Sequence, residues 1–316
     1  MAEERVATEQ RASRPSLRSR WYREIRAPFL TASIVPVLLG TTLAWARGGG
    51  WSWGLFLLAM MGAVLLHIGT NVLNDYFDYR AGTDNVNFEF LRPYSGGSRM
   101  IQLQMMSPRE VLLEAILAFA GATIVGVALL FLVGLPILYF GLVGMLSGIL
   151  YTVWLVKIGI GEVFVGLNFG VLMTVGAYYV QTRTISTEVA VASIPIALLI
   201  ALVLFINQFQ DYQADKATGK RHLVVRMGRA RSAWVYVAGL AATYVSLVVG
   251  VAAFGVTPFA LLALVTVPIA WKAVRTARRF YDDYLRLAPA NQATIMVHMF
   301  VGLLMTVGYL IQRAVG

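Results

Sequence analysis

Two short clusters of oxygen-bearing side chains interrupt a chain that is otherwise mostly apolar: Asn74, Asp75, Asp78 and Asp84 in the first, Asp211 and Asp215 in the second. Carboxylates are costly beside hydrocarbon, so a membrane chain that keeps them is expected to use them. Asn74 and Asp78 are four residues apart, and so are Asp211 and Asp215. On a helix each pair therefore shares one face. Repeated oxygen ligands of this kind suit one or two Mg²⁺ ions, which keep waters and are completed by phosphate rather than by a full protein shell. Asp75 stands one step round the helix, and Asp84 lies beyond Gly82, where the helix is expected to end.

Basic residues accompany both clusters. Lys216, Lys220 and Arg221 follow the second, Arg80 and Arg92 follow the first, Arg26 precedes the first apolar stretch, and Lys157 stands almost alone between two others. Acids and bases interleaved within apolar walls suit a phosphorylated head carrying a long apolar tail. A single Asp at a helix end is as readily a simple cap, and most basic loop residues serve only to orient a membrane chain. Two clusters with the same spacing are what outweigh those readings. His67 reads as a buried, hydrogen-bonded helix residue, and Gly96-Gly97 as a turn, since no Walker pattern surrounds it.

The elements that must position these groups are membrane spans. The chain is 58% hydrophobic and 13% charged, against about 45–50% and about 25% in soluble domains. Apolar runs predict nine helices, at 28–46, 52–74, 110–133, 136–156, 162–181, 189–210, 233–254, 257–272 and 293–312, several near the roughly 20 residues a crossing needs. The fold class is thus an all-α polytopic membrane protein of about nine transmembrane helices. Residues 1–24 are expected to form a disordered basic tail without a signal-peptide pattern, and 25–316 a single transmembrane domain.

With the N-terminus inside, only Arg47, Arg183 and Arg313 fall outside, leaving 23 of 26 basic residues on the inner face. That asymmetry predicts a cytoplasmic N-terminus and an inner-membrane location. It also assigns the net charge of +10 to anionic lipid headgroups, with no nucleic-acid partner. Both clusters then lie at the inner ends of spans, the second and the sixth, facing one cavity on the cytoplasmic side. With no cysteine and only three scattered histidines, disulfides, Cys nucleophiles and zinc patterns are excluded.

At these residues the chain resembles the UbiA superfamily of intramembrane prenyltransferases, from Arg26 and Pro28 to the ninth span. Longer matches, which include Asn71 to Asp84, Ser95-Gly96-Gly97-Ser98, Gly161-Glu162, Tyr178 to Thr182 and Gly219 to Gly228, resemble the branch that prenylates dihydroxynaphthoate in menaquinone synthesis. The resemblance implies transfer from an isoprenyl diphosphate to an aromatic acceptor, with loss of the acceptor's carboxylate as CO₂. It implies a bundle of about nine transmembrane helices around a central cavity, with Mg²⁺ held by Asn74, Asp78, Asp211 and Asp215 and with Asp75 and Asp84 in support. Arg26, Lys157, Lys216, Lys220 and Arg221 become candidates for the diphosphate. Tyr139, Tyr151, Phe169 and Tyr178 become candidates for the acceptor or for the allylic cation. The sequence departs from the branch after Tyr151-Thr152, where Val153-Trp154 replaces small residues and proline, and in the loop 86–94. Another acceptor (a hydroxybenzoate, a porphyrinoid or a lipid) is the alternative within the superfamily. An ion-coupled transporter is the alternative outside it, disfavoured because transporter ion sites lie near the midplane on broken helices. Prenyl chain length and oligomeric state are left open.

Overall fold

A computed structural model describes residues 15–315 of the chain, so the first 14 residues of the expected tail lie outside the described part. Within that tail Leu17–Glu24 is not disordered but forms a helix, α1, whose N-terminus is capped by Ser16 Oγ accepting from Ser19 N–H at 3.3 Å. Its last residue, Glu24, is fully buried, which anchors the segment to the bundle. Arg26 then takes a left-handed conformation (φ 53°, ψ 53°) and turns the chain into a 3₁₀ turn, Ala27–Leu30.

Among the described residues nine longer helices follow, α2 Thr31–Ala46, α3 Trp53–Ala81, α4 Pro108–Val133, α5 Pro136–Leu150, α6 Gly161–Thr182, α7 Thr187–Ala217, α8 Arg229–Ala253, α9 Pro258–Phe280 and α10 Ala288–Val315, with short helical turns at Thr83–Val86 and Leu223–Met227. Eight stretches among the described residues are long and apolar enough to cross a membrane. The remaining expected span is the shorter α5, which runs on through a π-helical turn, Tyr151–Leu155, into Val156–Ile158. No strand occurs among the described residues. The eighth span, expected to stop near residue 272, extends to Phe280, because the helix continues past the apolar run as an amphipathic stretch that buries Ala273 and Ala277 and turns Lys272, Arg275 and Arg279 outward.

Two helices overshoot. The 29 residues of α3 and the 31 of α7 span about 44 and 46 Å at 1.5 Å per residue, against a hydrocarbon core of about 30 Å. The last two turns of α3 carry Asn74, Asp75 and Asp78 and those of α7 carry Asp211 and Asp215, so the acids sit at the ends of helices longer than a crossing needs, with Asp84 just past Gly82. Gly82, at φ 76°, ends α3 and accepts no Cβ penalty in that left-handed position.

Small residues let the helices approach closely, as membrane bundles require. A Cβ on Gly40 of α2 would stand 2.1 Å from the Thr174 carbonyl oxygen of α6, and one on Gly170 would stand 2.2 Å from Ala197 Cα of α7. Large side chains on the far side of α4 and α5, such as Ile124, Phe131 and Leu146, are exposed, as a lipid-facing surface is.

Candidate active site

The ends of α3 and α7 face each other across one ammonium group. Lys220 Nζ lies 2.6 Å from Asp78 Oδ1 and 3.4 Å from Asp215 Oδ1. The chain delivers it there because Gly219 (φ 81°) reverses direction after α7, and Lys220 N–H then donates to the Asp215 carbonyl at 2.9 Å. Burial alone would discharge the amine, but Asp215 and Asp78 outweigh it and hold its pKa well above the usual lysine range.

The other oxygens of this pair are fixed from behind. Asn74 Nδ2 donates to Asp78 Oδ2 at 3.0 Å. His222 Nδ1 accepts from Val225 N–H at 3.4 Å, so the ring proton sits on Nε2, which meets Asp215 Oδ2 at 3.0 Å. One turn earlier on α7, Asp211 Oδ1 accepts from Asn87 Nδ2 at 2.7 Å. Asn74, Asp78, Asp84, Asp211, Asp215, Lys220 and Arg26 all line one cavity of about 630 Å³.

A second cavity, of about 710 Å³, adjoins it on the membrane side, and Arg26, Asn74, Tyr151 and Asn207 line both. Its walls are largely apolar and include Tyr151 and Phe169. Both of those aromatics stand in π-helical segments, Tyr151–Leu155 and Gly166–Leu172, a local form that recurs at functional sites.

A lid of loop covers the polar cavity, and acids that the sequence offered as ligands hold it down. Ser98 N–H donates to Asp75 Oδ2 at 2.7 Å, and Ser98 Oγ hydrogen-bonds the buried Glu24. Gln102 Nε2 donates to Asp84 Oδ2, and Arg99 Nη1 to the Asp84 carbonyl, both at 2.8 Å. Burial pushes the Asp84 carboxyl up to about 8, with Asp78 and Asp75 adding to the effect and Arg99 opposing it. Burial, then Asp75, pushes Glu24 up to about 9. Gly97 sits directly beneath Asp75: at φ 67° its Cβ would stand 2.7 Å from Asp75 Oδ1. Asp75 does not line the cavity; it is turned toward the lid.

Other expected residues also face elsewhere. Lys157, Lys216 and Arg221 are exposed and outside both cavities, with Lys216 lying over the Tyr212 ring at 5.7 Å. Lys216 follows Asp215 directly, so a helix that aims Asp215 inward must aim Lys216 about 100° away. Tyr139 is 62% exposed on the lipid-facing side of α5, and Tyr178 is packed in the core. Conversely, Asn207, Gln208, Asn87 and His222 line the polar cavity without having been singled out. Asn207 carried a signal, since it precedes Asp211 by the same four residues that separate Asp211 from Asp215.

The donor set fits a divalent cation. Asp78 on one helix and Asp211 and Asp215 on the other offer carboxylate oxygens, Asn74 adds an amide oxygen, and the Lys220 ammonium already marks the point between Asp78 and Asp215 where positive charge is held. No group of three or more His, Asp or Glu side chains that could by itself hold a metal ion occurs among the described residues, so any cation here depends on ligands from outside the protein. An open shell is what Mg²⁺ completed by phosphate and water uses.

Residues 33–307 match the UbiA prenyltransferase family. The chain is 30% identical to the 1,4-dihydroxy-2-naphthoate octaprenyltransferase of Bacillus subtilis (strain 168), over 89% of each chain. Its fold is that of a UbiA homolog from Aeropyrum pernix K1, with a TM-score of 0.65 at 14% identity, covering 88% of this chain and 97% of that one. A UbiA homolog from Archaeoglobus fulgidus bound to DMAPP and Mg²⁺ superposes with a TM-score of 0.55, also at 14% identity, over 91% and 99%.

Proposed function

The chain belongs to the UbiA prenyltransferase family, and from that premise we propose that it moves a polyprenyl group from an allylic diphosphate onto 1,4-dihydroxy-2-naphthoate. The naphthoate acceptor follows the B. subtilis relative. The observation that carries the reading is the opposition of Asp78 and Asp215 around Lys220, directly above a cavity walled by Tyr151 and Phe169.

Asn74, Asp78, Asp211 and Asp215 would hold Mg²⁺, the ion in the A. fulgidus homolog. Bound there, it supplies Lewis-acid neutralisation of the diphosphate leaving group. Lys220 and Arg26 add positive charge from the protein at the place where charge develops on the departing oxygen. The allylic C–O bond breaks with its electron pair leaving on the diphosphate, and the resulting cation must be kept from water. The apolar wall of the lower cavity excludes water, and a desolvated aromatic face stabilises a cation by about 2 kcal/mol. A ring carbon of the acceptor forms the new C–C bond, and the acceptor's carboxylate leaves as CO₂. A further apolar cavity of about 760 Å³, between α3, α4, α5 and α6, has room for isoprene units. The reading includes nine crossings with the N-terminus and the polar cavity on the cytoplasmic side.

Purified protein given a prenyl diphosphate and carboxyl-labelled dihydroxynaphthoate tests this. The expected result is prenylated product with equimolar labelled CO₂, abolished by EDTA and restored by Mg²⁺. Prenylation of hydroxybenzoate with no reaction of the naphthoate would overturn the acceptor assignment.

A further inference from the structure

Halfway along α3, His67 is buried within the membrane-spanning part of the bundle, yet its ring is held by contacts that engage only one of its two nitrogens. Nδ1 meets Ser33 Oγ of α2 at 2.6 Å. The ring also lies against Phe169 of α6, with centroids 4.5 Å apart. Together these fix its position and orientation. Nε2 has no hydrogen-bond partner among the described residues, and the ring lines the lower cavity. One helical turn on, Asn71 lines the same cavity, and its buried Nδ2 is likewise without a partner.

Residues four apart share a face about 5–6 Å apart, so the cavity presents two neighbouring unpaired polar groups. Leaving such groups unsatisfied in an apolar site is costly. A hydrocarbon occupant would impose that cost at both positions; a ligand bearing oxygens would remove it. Asn71 Nδ2 can only donate. Nε2 of His67 donates or accepts according to how the proton is shared with Ser33, and a hydroxyl matches either state.

We infer that His67 and Asn71 bind the ring oxygens of a hydroxylated aromatic acceptor, and that Ser33 positions His67 to do so. The inference rests on the prenyltransferase reading above and assigns the acceptor's place within it. The ring then lies between Phe169 and the collar at Asn74, with its hydroxyls against α3 and its reacting carbon toward the polar cavity.

His67→Phe keeps an aromatic ring against Phe169 and removes the hydrogen bond, and Asn71→Leu removes the donor. His67→Gln restores a hydrogen-bonding group at similar reach. Each of the first two is expected to raise the acceptor KM about tenfold. Donor KM and the Mg²⁺-dependent thermal shift by geranyl diphosphate should stay within twofold of wild type. His67→Gln should recover most of the acceptor affinity. A monomethyl ether of the acceptor should penalise wild type about tenfold and His67→Phe little further, because the same bond is already lost. The inference is overturned if His67→Phe leaves acceptor KM unchanged, if it weakens donor and acceptor equally, or if the ether penalises both proteins alike. The ether series on wild type needs no variant to fold. If wild type prenylates no hydroxylated arene, the broader reading fails and takes this one with it; if it does and His67→Phe matches it, this one alone fails.

Discussion

Lys220→Met should change the response to metal and to donor in opposite directions. The ammonium lies 2.6 Å from Asp78 Oδ1 and 3.4 Å from Asp215 Oδ1, and all three side chains are largely buried. At an effective dielectric of about 20 those separations correspond to attractions of ~6 and ~5 kcal/mol before desolvation is counted. Removing one partner of such a buried network costs about 3–5 kcal/mol net, because the remaining charges are left uncompensated. In EDTA the variant should therefore unfold at a distinctly lower temperature than wild type.

Added Mg²⁺ then separates the roles. In wild type a divalent cation must displace the ammonium from two carboxylates; in Lys220→Met it need not. Each 1.4 kcal/mol of that difference is about tenfold in affinity, so even part of the 3–5 kcal/mol makes Mg²⁺ stabilise the variant at markedly lower concentration. The prenyl diphosphate should behave in reverse, since the displaced ammonium is positive charge that the protein would direct at phosphate. Donor KM is expected to rise about tenfold or more. Thermal unfolding with EDTA, Mg²⁺, and Mg²⁺ plus donor measures all three. Equal unfolding temperatures in EDTA, or equal Mg²⁺ responses, would refute the reasoning.

Asp78→Ala and Asp215→Ala should each lower transfer at least about 100-fold while helical circular dichroism stays at the wild-type level; near-normal turnover from a well-folded variant would exclude them from the site. Glu24 is held neutral in the fold to about pH 9 against an ordinary 4.5, so the folded protein carries an extra proton between those values. Its stabilising effect is present below pH 4.5 and declines as pH rises toward 9, by up to about 1.4 kcal/mol per pH unit; unfolding temperatures at pH 6, 7 and 8 should fall less steeply in Glu24→Gln than in wild type, with Asp84 accounting for a residual slope of the same sign. Gly97→Ala should destabilise by about 1–2 kcal/mol from its positive φ alone, with a further contribution from the approach to Asp75 Oδ1. Adding Asp75→Ala removes only the second part, so a double-mutant cycle should depart from additivity by more than about 0.5 kcal/mol.

How far the sequence foretold these contacts depended on whether the information was local. The pairs Asn74/Asp78 and Asp211/Asp215 were legible because helical spacing alone puts each on one face, and all four line one cavity. The direction of a long side chain is not local. In the sequence Lys157, Lys216, Lys220 and Arg221 are equivalent as basic residues flanking apolar runs, yet of these four only Lys220 is swung inward, by the left-handed turn at Gly219. Oxygen donors are ambiguous in a similar way: a carboxylate suited to a cation also suits the N–H groups of a loop, and Asp75 and Asp84 serve the loop. The aromatics were the least legible. Tyr139 faces outward on a regular helix, whereas Tyr151 and Phe169 reach the cavity from π-helical segments that shift the facing expected of a 3.6-residue period.

In the proposed reaction, the placement of the acids answers a conflict between the two ends of one substrate. A diphosphate requires charged, hydrated surroundings, and a polyprenyl chain requires hydrocarbon, so the bond joining them has to lie at a boundary. Long helices resolve this by continuing past the slab: α3 and α7 bring Asp78 and Asp215 to the boundary without irregular backbone that lipid could not satisfy. Arg26, Asn74, Tyr151 and Asn207 border both the polar and the apolar cavity, and they form the collar through which any such molecule must pass. A donor with its phosphates above that collar and its isoprenes below has its scissile C–O bond within it. There Lys220 faces one side of the breaking bond and the aromatic wall the other, so charge separates along the direction in which the protein's own polarity already changes.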